Sequence, residues 1–236
     1  MNVVDKLLGR TEAKQPEFTH MPIVIGIGHR ARHGKDTVAA MIKQHRGDKY
    51  RTAISPFAAA LKREVNKCAE NSGGMIRLFD PGLYDECGGY LQENGNFLPL
   101  PQWVQYDPNA PMDDPLCPYG KQRTLLQWWG TEYRRSINPD YWVLRNAEFI
   151  SECGAEVVLI PDLRFPNEFD FCRKYGAAIK VHRPGVESPN AHPSEESLAH
   201  LKDCEWDAVI YNEGTLEDLE KQALYVFDEI LEEASR

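Results

Sequence analysis

The stretch Ile23–Met41, IVIGIGHRARHGKDTVAAM, constrains this chain more than any other. An apolar, β-favouring run, Ile23-Val24-Ile25, leads into a glycine-interrupted basic loop and then Gly34-Lys35-Asp36-Thr37. Beyond it, Val38, Met41 and Ile42 recur at the i, i+3, i+4 spacing of a helix face. A strand, a glycine-containing loop and a helix with Gly-Lys at the junction make the phosphate-binding P-loop arrangement. A helix start presents unpaired N–H groups and the positive end of its dipole, and glycine lets the backbone wrap an anion. Lys35 adds a point charge for the outer phosphates of a nucleoside triphosphate. The candidate ATP-binding set in this loop is Arg30, Ala31, Arg32, His33, Gly34, Lys35, Asp36 and Thr37. Two positions depart from G-x-x-x-x-G-K-[ST]. His29 stands at the first glycine, and Asp36 stands where a magnesium-holding hydroxyl is usual. A bare carboxylate beside a triphosphate would be repelled, so Asp36 makes sense with Mg²⁺ or water between them.

The 236 residues suffice for one sizeable α/β domain, here 21–236, with residues 1–20 as a polar extension. A net charge of -9 argues against a broad, sequence-independent grip on nucleic acid. The six cysteines are scattered without a C-x-x-C pair, which reads as free thiols in a reducing cytoplasm, with neither zinc site nor disulfide framework. No run approaches membrane-spanning length, so a cytoplasmic location is expected. The seven histidines show no ligand spacing, and His192 reads as a turn or cap residue.

Along the chain, Tyr50–Ile54 reads as a strand, and Ser55-Pro56 as the N-cap and first turn of a helix to Asn71, with Ala58, Leu61 and Val65 inward. From 73 to 120 Gly, Pro, Asn and Asp dominate, with Tyr84, Tyr90, Trp103 and Tyr106 among them. This is too long for an ordinary connection and reads as an inserted lid or substrate-binding segment anchored by its aromatics. Arg123–Gly130 reads as a helix, and Pro139 opens another. Val157–Ile160 is a buried strand, Pro166–Tyr175 a helix closed by Gly176, and Ala178–His182 and Asp207–Tyr211 are strands. Thr215 caps a last helix with Leu216, Leu219, Leu224 and Phe227 on its apolar face. Strands alternating with helices mean a parallel sheet with helices on both faces.

Function in such sheets gathers at the carboxyl ends of the strands. Besides the P-loop, these ends carry Asp162-Leu163-Arg164, Arg183, and Asn212-Glu213-Gly214. Asp162 there can orient Mg²⁺-bound water, or instead cap a helix, and Arg164 can grip a phosphate through two hydrogen bonds. Asn212 and Gly214 can lay backbone against a nucleotide base. Arg123, Gln127, Thr131 and Arg135 fall four apart on one helix face, framed by Trp128, Trp129 and Trp142. Gln127 could read a base edge and Trp142 could stack on a ring.

In order, GKDT, RTLLQWWGTEYRR, NPDYW, IPDLRFPNEFD, VHRPG and NEGTLEDL resemble the phage-type deoxynucleoside monophosphate kinases, from about Ile23 to Phe227 apart from the middle insert. The resemblance implies a P-loop nucleoside-monophosphate-kinase-like three-layer fold around a five-stranded parallel sheet. It also implies Mg²⁺-dependent transfer of the ATP γ-phosphate to a deoxynucleoside monophosphate, for DNA precursor synthesis in an infected host. Carried over, Gly34, Lys35, Asp36 and Thr37 hold ATP and Mg²⁺, with Asp162 as a second metal-shell carboxylate. Arg123, Gln127, Thr131 and Trp142 surround the substrate, and Lys35, Arg135, Arg164 and Asp162 form the catalytic set. The expected partners are ATP and a dNMP, with no membrane and no strong nucleic-acid binding; a homodimer stays open. The rival readings are a related kinase acting on a modified base within DNA, a GTPase-like switch, and an inactive P-loop scaffold. The switch lacks its Asn-Lys-x-Asp motif, since Asn66-Lys67 continues Cys68-Ala69.

Overall fold

The computed structural model describes residues 21–71, 73–79, 100–186 and 197–235. They fall into two compact units, residues 21–57 with 143–235, and residues 58–142. The expectations for residues 1–20, Tyr84, Tyr90 and His192 lie outside the described residues.

The first unit is a five-stranded, wholly parallel sheet in the order β2-β3-β1-β4-β5. Its strands are β1 (Ile23–Gly28), β2 (Thr52–Ile54), β3 (Val157–Leu163), β4 (Gly176–His182) and β5 (Ala208–Tyr211). The helices of this unit are α1 (Lys35–Tyr50), the part of α4 (Tyr141–Glu152) from Val143 onward, α5 (Pro166–Tyr175) and α6 (Leu216–Ala234). Strand side chains alternate faces, and both faces are buried. Val24, Val158, Ile160 and Ala178 meet Val143, Ala147 and Ile150 of α4 and Phe169, Phe171 and Cys172 of α5. Ile25, Ile27, Leu159, Ile179 and Val181 meet Val38, Ala39 and Ile42 of α1 and Leu219, Ala223 and Phe227 of α6. The three-layer α/β architecture expected from the sequence is therefore present.

Several boundaries and contacts differ from the sequence reading. Tyr50 ends α1, because Arg51 takes a left-handed conformation (φ 43°) and β2 starts only at Thr52. Ser55 is not the cap of α2 (Phe57–Asn71): its hydroxyl donates to Asn146 Oδ1 at 2.6 Å, and the Phe57 N–H donates to Asp162 Oδ1 at 2.8 Å. Gly176 was expected to end α5 through its conformational freedom. Its φ of 171° is ordinary extended backbone; glycine is needed because a Cβ would lie 2.2 Å from the Val24 carbonyl oxygen. On α6 the buried residues are Leu219, Ala223, Phe227 and Leu231, whereas Leu216 is exposed. The Thr215 cap is as expected, accepting from Asp218 N while Asp218 Oδ2 accepts from Thr215 N.

The second unit packs α2 from Ala58 onward, a 3₁₀ turn (Met75–Phe79), α3 (Arg123–Gln127) and a π-helical segment (Trp128–Arg135). Its core holds Val65, Cys68, Ala69, Leu125, Trp128, Trp129, Tyr133 and Trp142, so α2 buries Val65, Cys68 and Ala69, with Ala58 and Leu61 only partly covered. Residues 100–120 are a chain of turns tied down by polar contacts, including a Lys62–Asp114 ion pair at 2.6 Å and a hydrogen bond from Asn66 Nδ2 to the Leu116 carbonyl. Trp103 and Tyr106 are 45% and 36% exposed, so the buried anchors are Val104, Ala110 and Cys117 rather than these aromatics.

The expected single helix from Arg123 to Gly130 changes character at Trp128. In a π-helix the backbone bonds run i→i+5, so residues five apart come into register. Trp128 and Tyr133 stack at 5.4 Å with an 8° interplanar angle. Trp129 and Arg134, also five apart, both donate to Glu64. Sequence periodicity of four could not show this, because the widening is stabilised by partners on α2.

Candidate functional site

Gly34, at φ 100°, is the residue before α1, and a Cβ there would lie 2.8 Å from Asn212 Nδ2. Asn212 donates from Nδ2 to the His33 carbonyl at 3.0 Å, and its own N–H bonds the His182 carbonyl. The turn after β5 thus fixes the loop after β1. Arg32, also at positive φ (63°), completes the curl of the loop.

The loop and the turn enclose a cavity of about 370 Å³ lined by Lys35, Asp36, Thr37, Arg183, Asn212 and Gly214, among others. β1 lies between β3 and β4, and the chain runs from β1 outward to β2 but later crosses to β4. The cavity therefore opens where strand order reverses, the usual ligand crevice of an open parallel sheet. Lys35, only 5% exposed, donates to the Arg30 carbonyl at 2.6 Å, so the ammonium is held inside the loop. Burial pushes its pKa down to about 8, Arg164 pushes the same way, and Asp36 and Asp162 pull it back. Those four charges therefore form one electrostatic group at the ends of β1 and β3.

Arg164 is set by its neighbour Glu168, whose buried carboxylate accepts from the N–H groups of Arg164 and Phe165 at 2.8 and 3.0 Å. Asp162 does what the alternative reading of that position proposed: it holds the Phe57 N–H. Its charge still bears on Lys35. Arg30, Ala31 and His33 belong to the loop, but the His33 side chain is buried and directed to the end of β4 rather than into the cavity. Carboxylate and hydroxyl oxygens from Asp36 and Thr37 on the cavity wall are hard donors of the kind Mg²⁺ takes, so the donor set fits that ion.

In the second unit, Gln127, Thr131 and Arg135 are half-buried and Arg123 is exposed. Arg135 donates from Nη1 to the Pro139 carbonyl at 3.1 Å. Trp142 differs from its expected role. It is 3% exposed, sits edge-on to Tyr141, and donates its indole N–H to the Gly130 carbonyl at 2.9 Å. It is a core residue here, without an open face for stacking. A Cβ at Gly130 would meet the end of the Leu61 side chain at 2.9 Å, so a larger residue there requires Leu61 to shift.

Residues 121–223 match the deoxynucleotide monophosphate kinase family model. That segment carries the π-helical stretch, Asp162, Arg164, Arg183, Asn212 and Gly214, while the Lys35 loop lies outside it. A protein of Acanthamoeba polyphaga mimivirus, provisionally named a deoxynucleotide monophosphate kinase, is 40% identical over 119 residues, covering 45% of this chain. The deoxynucleotide monophosphate kinase of Enterobacteria phage T4 is 35% identical over 102 residues, or 41% of this chain. The aligned parts span 61% and 41% of those relatives' own lengths. Among the described residues no helix is long and apolar enough to cross a membrane.

Arg183, singled out in the sequence by its place at a strand end, lines the cavity. One feature escaped the sequence. His29, His33 and His182, which have no ligand spacing in sequence, come together in space.

The lowered pKa of Lys35 gives a signed expectation. Between about pH 8 and 10.5 the unfolded chain binds the proton that folded Lys35 has lost, so through this group the stability of the nucleotide-free protein rises with pH. Over the same range an anion loses its ammonium partner, so ATP affinity falls. Urea unfolding and ATP titration from neutral pH to about pH 10 test both slopes, and Lys35→Met should flatten each. Profiles that the variant leaves unchanged would assign them to another group.

Proposed function

We propose that this protein transfers the γ-phosphate of ATP to a deoxynucleoside 5′-monophosphate, giving the diphosphate. The observation that carries the reading is the cavity at the end of β1, where Lys35 and the N-terminus of α1 face Arg183 and Asn212. It has the charge and the backbone donors a triphosphate needs. The family match over residues 121–223 and the names of the two relatives support the acceptor class.

Phosphoryl transfer asks for positioning and charge neutralisation rather than a protein nucleophile. Lys35 would leave the Arg30 carbonyl for the outer phosphates, and α1 would add its unpaired N–H groups and dipole. Arg164 would hold equatorial oxygens of the moving group, its backbone fixed by Glu168. Asp36, with Asp162 behind it, would hold Mg²⁺, which when bound neutralises charge on the phosphate oxygens. Arg123, Gln127 and Thr131 would contact the acceptor, and Arg135 its phosphate.

The deciding experiment measures ADP release from ATP against each dNMP, each NMP and a DNA oligonucleotide. Turnover with at least one dNMP is expected. Release driven only by the oligonucleotide, or by no acceptor, overturns the reading. Arg164→Lys and Arg135→Lys should each lower kcat at least about tenfold, or roughly 1.4 kcal/mol, because an ammonium cannot grip two phosphate oxygens at once. Full kcat in both would remove these arginines from the machinery.

A further inference from the structure

We propose that His29, His33 and His182 form a binding site for a divalent transition-metal ion of the zinc class, clasping the phosphate loop to the end of β4. One ligand nitrogen from each ring lies within 4.8 Å of the other two. The ring centres stand 4.9, 5.5 and 5.6 Å apart at mutual angles of 63–65°. Three imidazoles on one tetrahedral ion, with bonds of about 2.0 Å, place ring centres roughly 5 Å apart and ligand nitrogens roughly 3.3 Å apart. His29 Nδ1 and His33 Nδ1 are already at 3.1 Å.

The tautomers suit this. His33 donates from Nε2 to the Val186 carbonyl at 3.1 Å, which leaves Nδ1 with its lone pair. A ring N–H on a backbone carbonyl is how a metal-binding histidine is usually oriented. Without an ion that lone pair accepts the Arg183 N–H, at 3.1 Å. His182 Nδ1 is buried and has no hydrogen-bond partner among the described residues. Backbone conformation is a separate sign. His29 adopts φ 99° at the first-glycine position of the loop, a conformation that strains a non-glycine residue. Glycine would adopt it without strain, so the imidazole has to offset that cost.

Electrostatics sets limits. Burial, then Lys180 and the neighbouring histidines, holds the His29 pKa down at about 3, and burial also lowers that of His33. Burial thus disfavours the charged form of both rings, and a metal takes the neutral form. Arg30, Lys35 and Lys180 oppose a second cation, while Asp203, bonded to Lys180 at 2.8 Å and to Tyr211 at 2.7 Å, lies on the His182 side. A nitrogen-only set prefers zinc, cobalt or copper over magnesium, which separates it from Asp36 and Asp162. The fourth position of such an ion is left to water or another ligand.

The test uses full-length, untagged, chelator-treated protein without nucleotide, titrated with Zn²⁺ by calorimetry and with Co²⁺ by absorbance. One ion per chain is expected, with the visible bands of four-coordinate cobalt and no thiolate charge-transfer band, together with a higher unfolding midpoint. His182→Gln and His29→Gly should each weaken binding at least about tenfold. Should either variant unfold, the imidazole ¹⁵N shifts of the wild-type protein on adding Zn²⁺ decide the matter, with three rings moving together. Absence of stoichiometric binding, a thiolate band, or affinity unchanged in folded variants overturns the site and leaves the three rings as a hydrogen-bonded clasp.

Discussion

Lys35→Ala should abolish phosphoryl transfer while leaving cooperative unfolding intact. The ammonium is nearly fully buried, it donates to the Arg30 carbonyl, and burial already depresses its pKa to about 8. A cation held at such cost to its own charged state is placed for an anion. The nucleotide-free fold should therefore lose little, or gain slightly, when it is removed. Transition-state charge is a different matter, because nothing else on the cavity wall replaces an ammonium at the centre of the loop. A drop of at least about a thousandfold in kcat/KM, roughly 4 kcal/mol, is expected. ADP release by the variant, with far-UV dichroism and a urea transition as controls, decides it. Near wild-type turnover in a folded variant would sink the P-loop assignment.

The order of strands and helices was legible because each follows from local pattern. The Val157–Ile160 run is apolar on both faces, as a central parallel strand must be, and Lys35 follows Gly34 at a helix start. The strand-end rule then led to Asp162, Arg164 and Asn212. What remained hidden depends on partners distant in sequence. Ser55 has the chemistry of a cap, but Asn146 takes its hydroxyl and Asp162 takes the cap. Gly176 has the look of a helix stop, but the constraint on it is the approach of Val24. Trp142 could have stacked on a ligand, and only the position of Gly130 shows that its indole is already bound. The histidines lie at positions 29, 33 and 182, and only the β1–β4 pairing brings the last beside the first two.

Glu64→Ala should strongly destabilise the second unit. Glu64 Oε1 accepts from Trp129 Nε1 at 2.8 Å and from Arg134 Nε at 2.7 Å and Nη2 at 2.6 Å, while Oε2 accepts the Tyr141 hydroxyl at 2.8 Å. The two charged side chains are only 20% and 13% exposed, and the Arg134 guanidinium lies over the rings of Tyr133 and Tyr141 at 5.0 and 4.8 Å. Both π-helical donors reach one carboxylate because they are five apart; in an α-helix they would diverge. Truncation at Glu64 takes one shared carboxylate away from a half-buried guanidinium, the Trp129 indole N–H and the Tyr141 hydroxyl. Breaking a fully buried pair from one side costs about 3–5 kcal/mol, and this half-buried one should cost somewhat less. Glu64→Gln keeps an acceptor oxygen and should cost less. The double variant Glu64→Leu, Arg134→Met should recover most of the loss, since replacing both charges with apolar groups is often neutral. Urea unfolding of the wild type, Glu64→Leu, Arg134→Met and the double variant gives the coupling energy directly. A Glu64→Ala cost below about 1 kcal/mol would mean that the exposed-pair regime applies and that the aromatic stack alone holds the π segment.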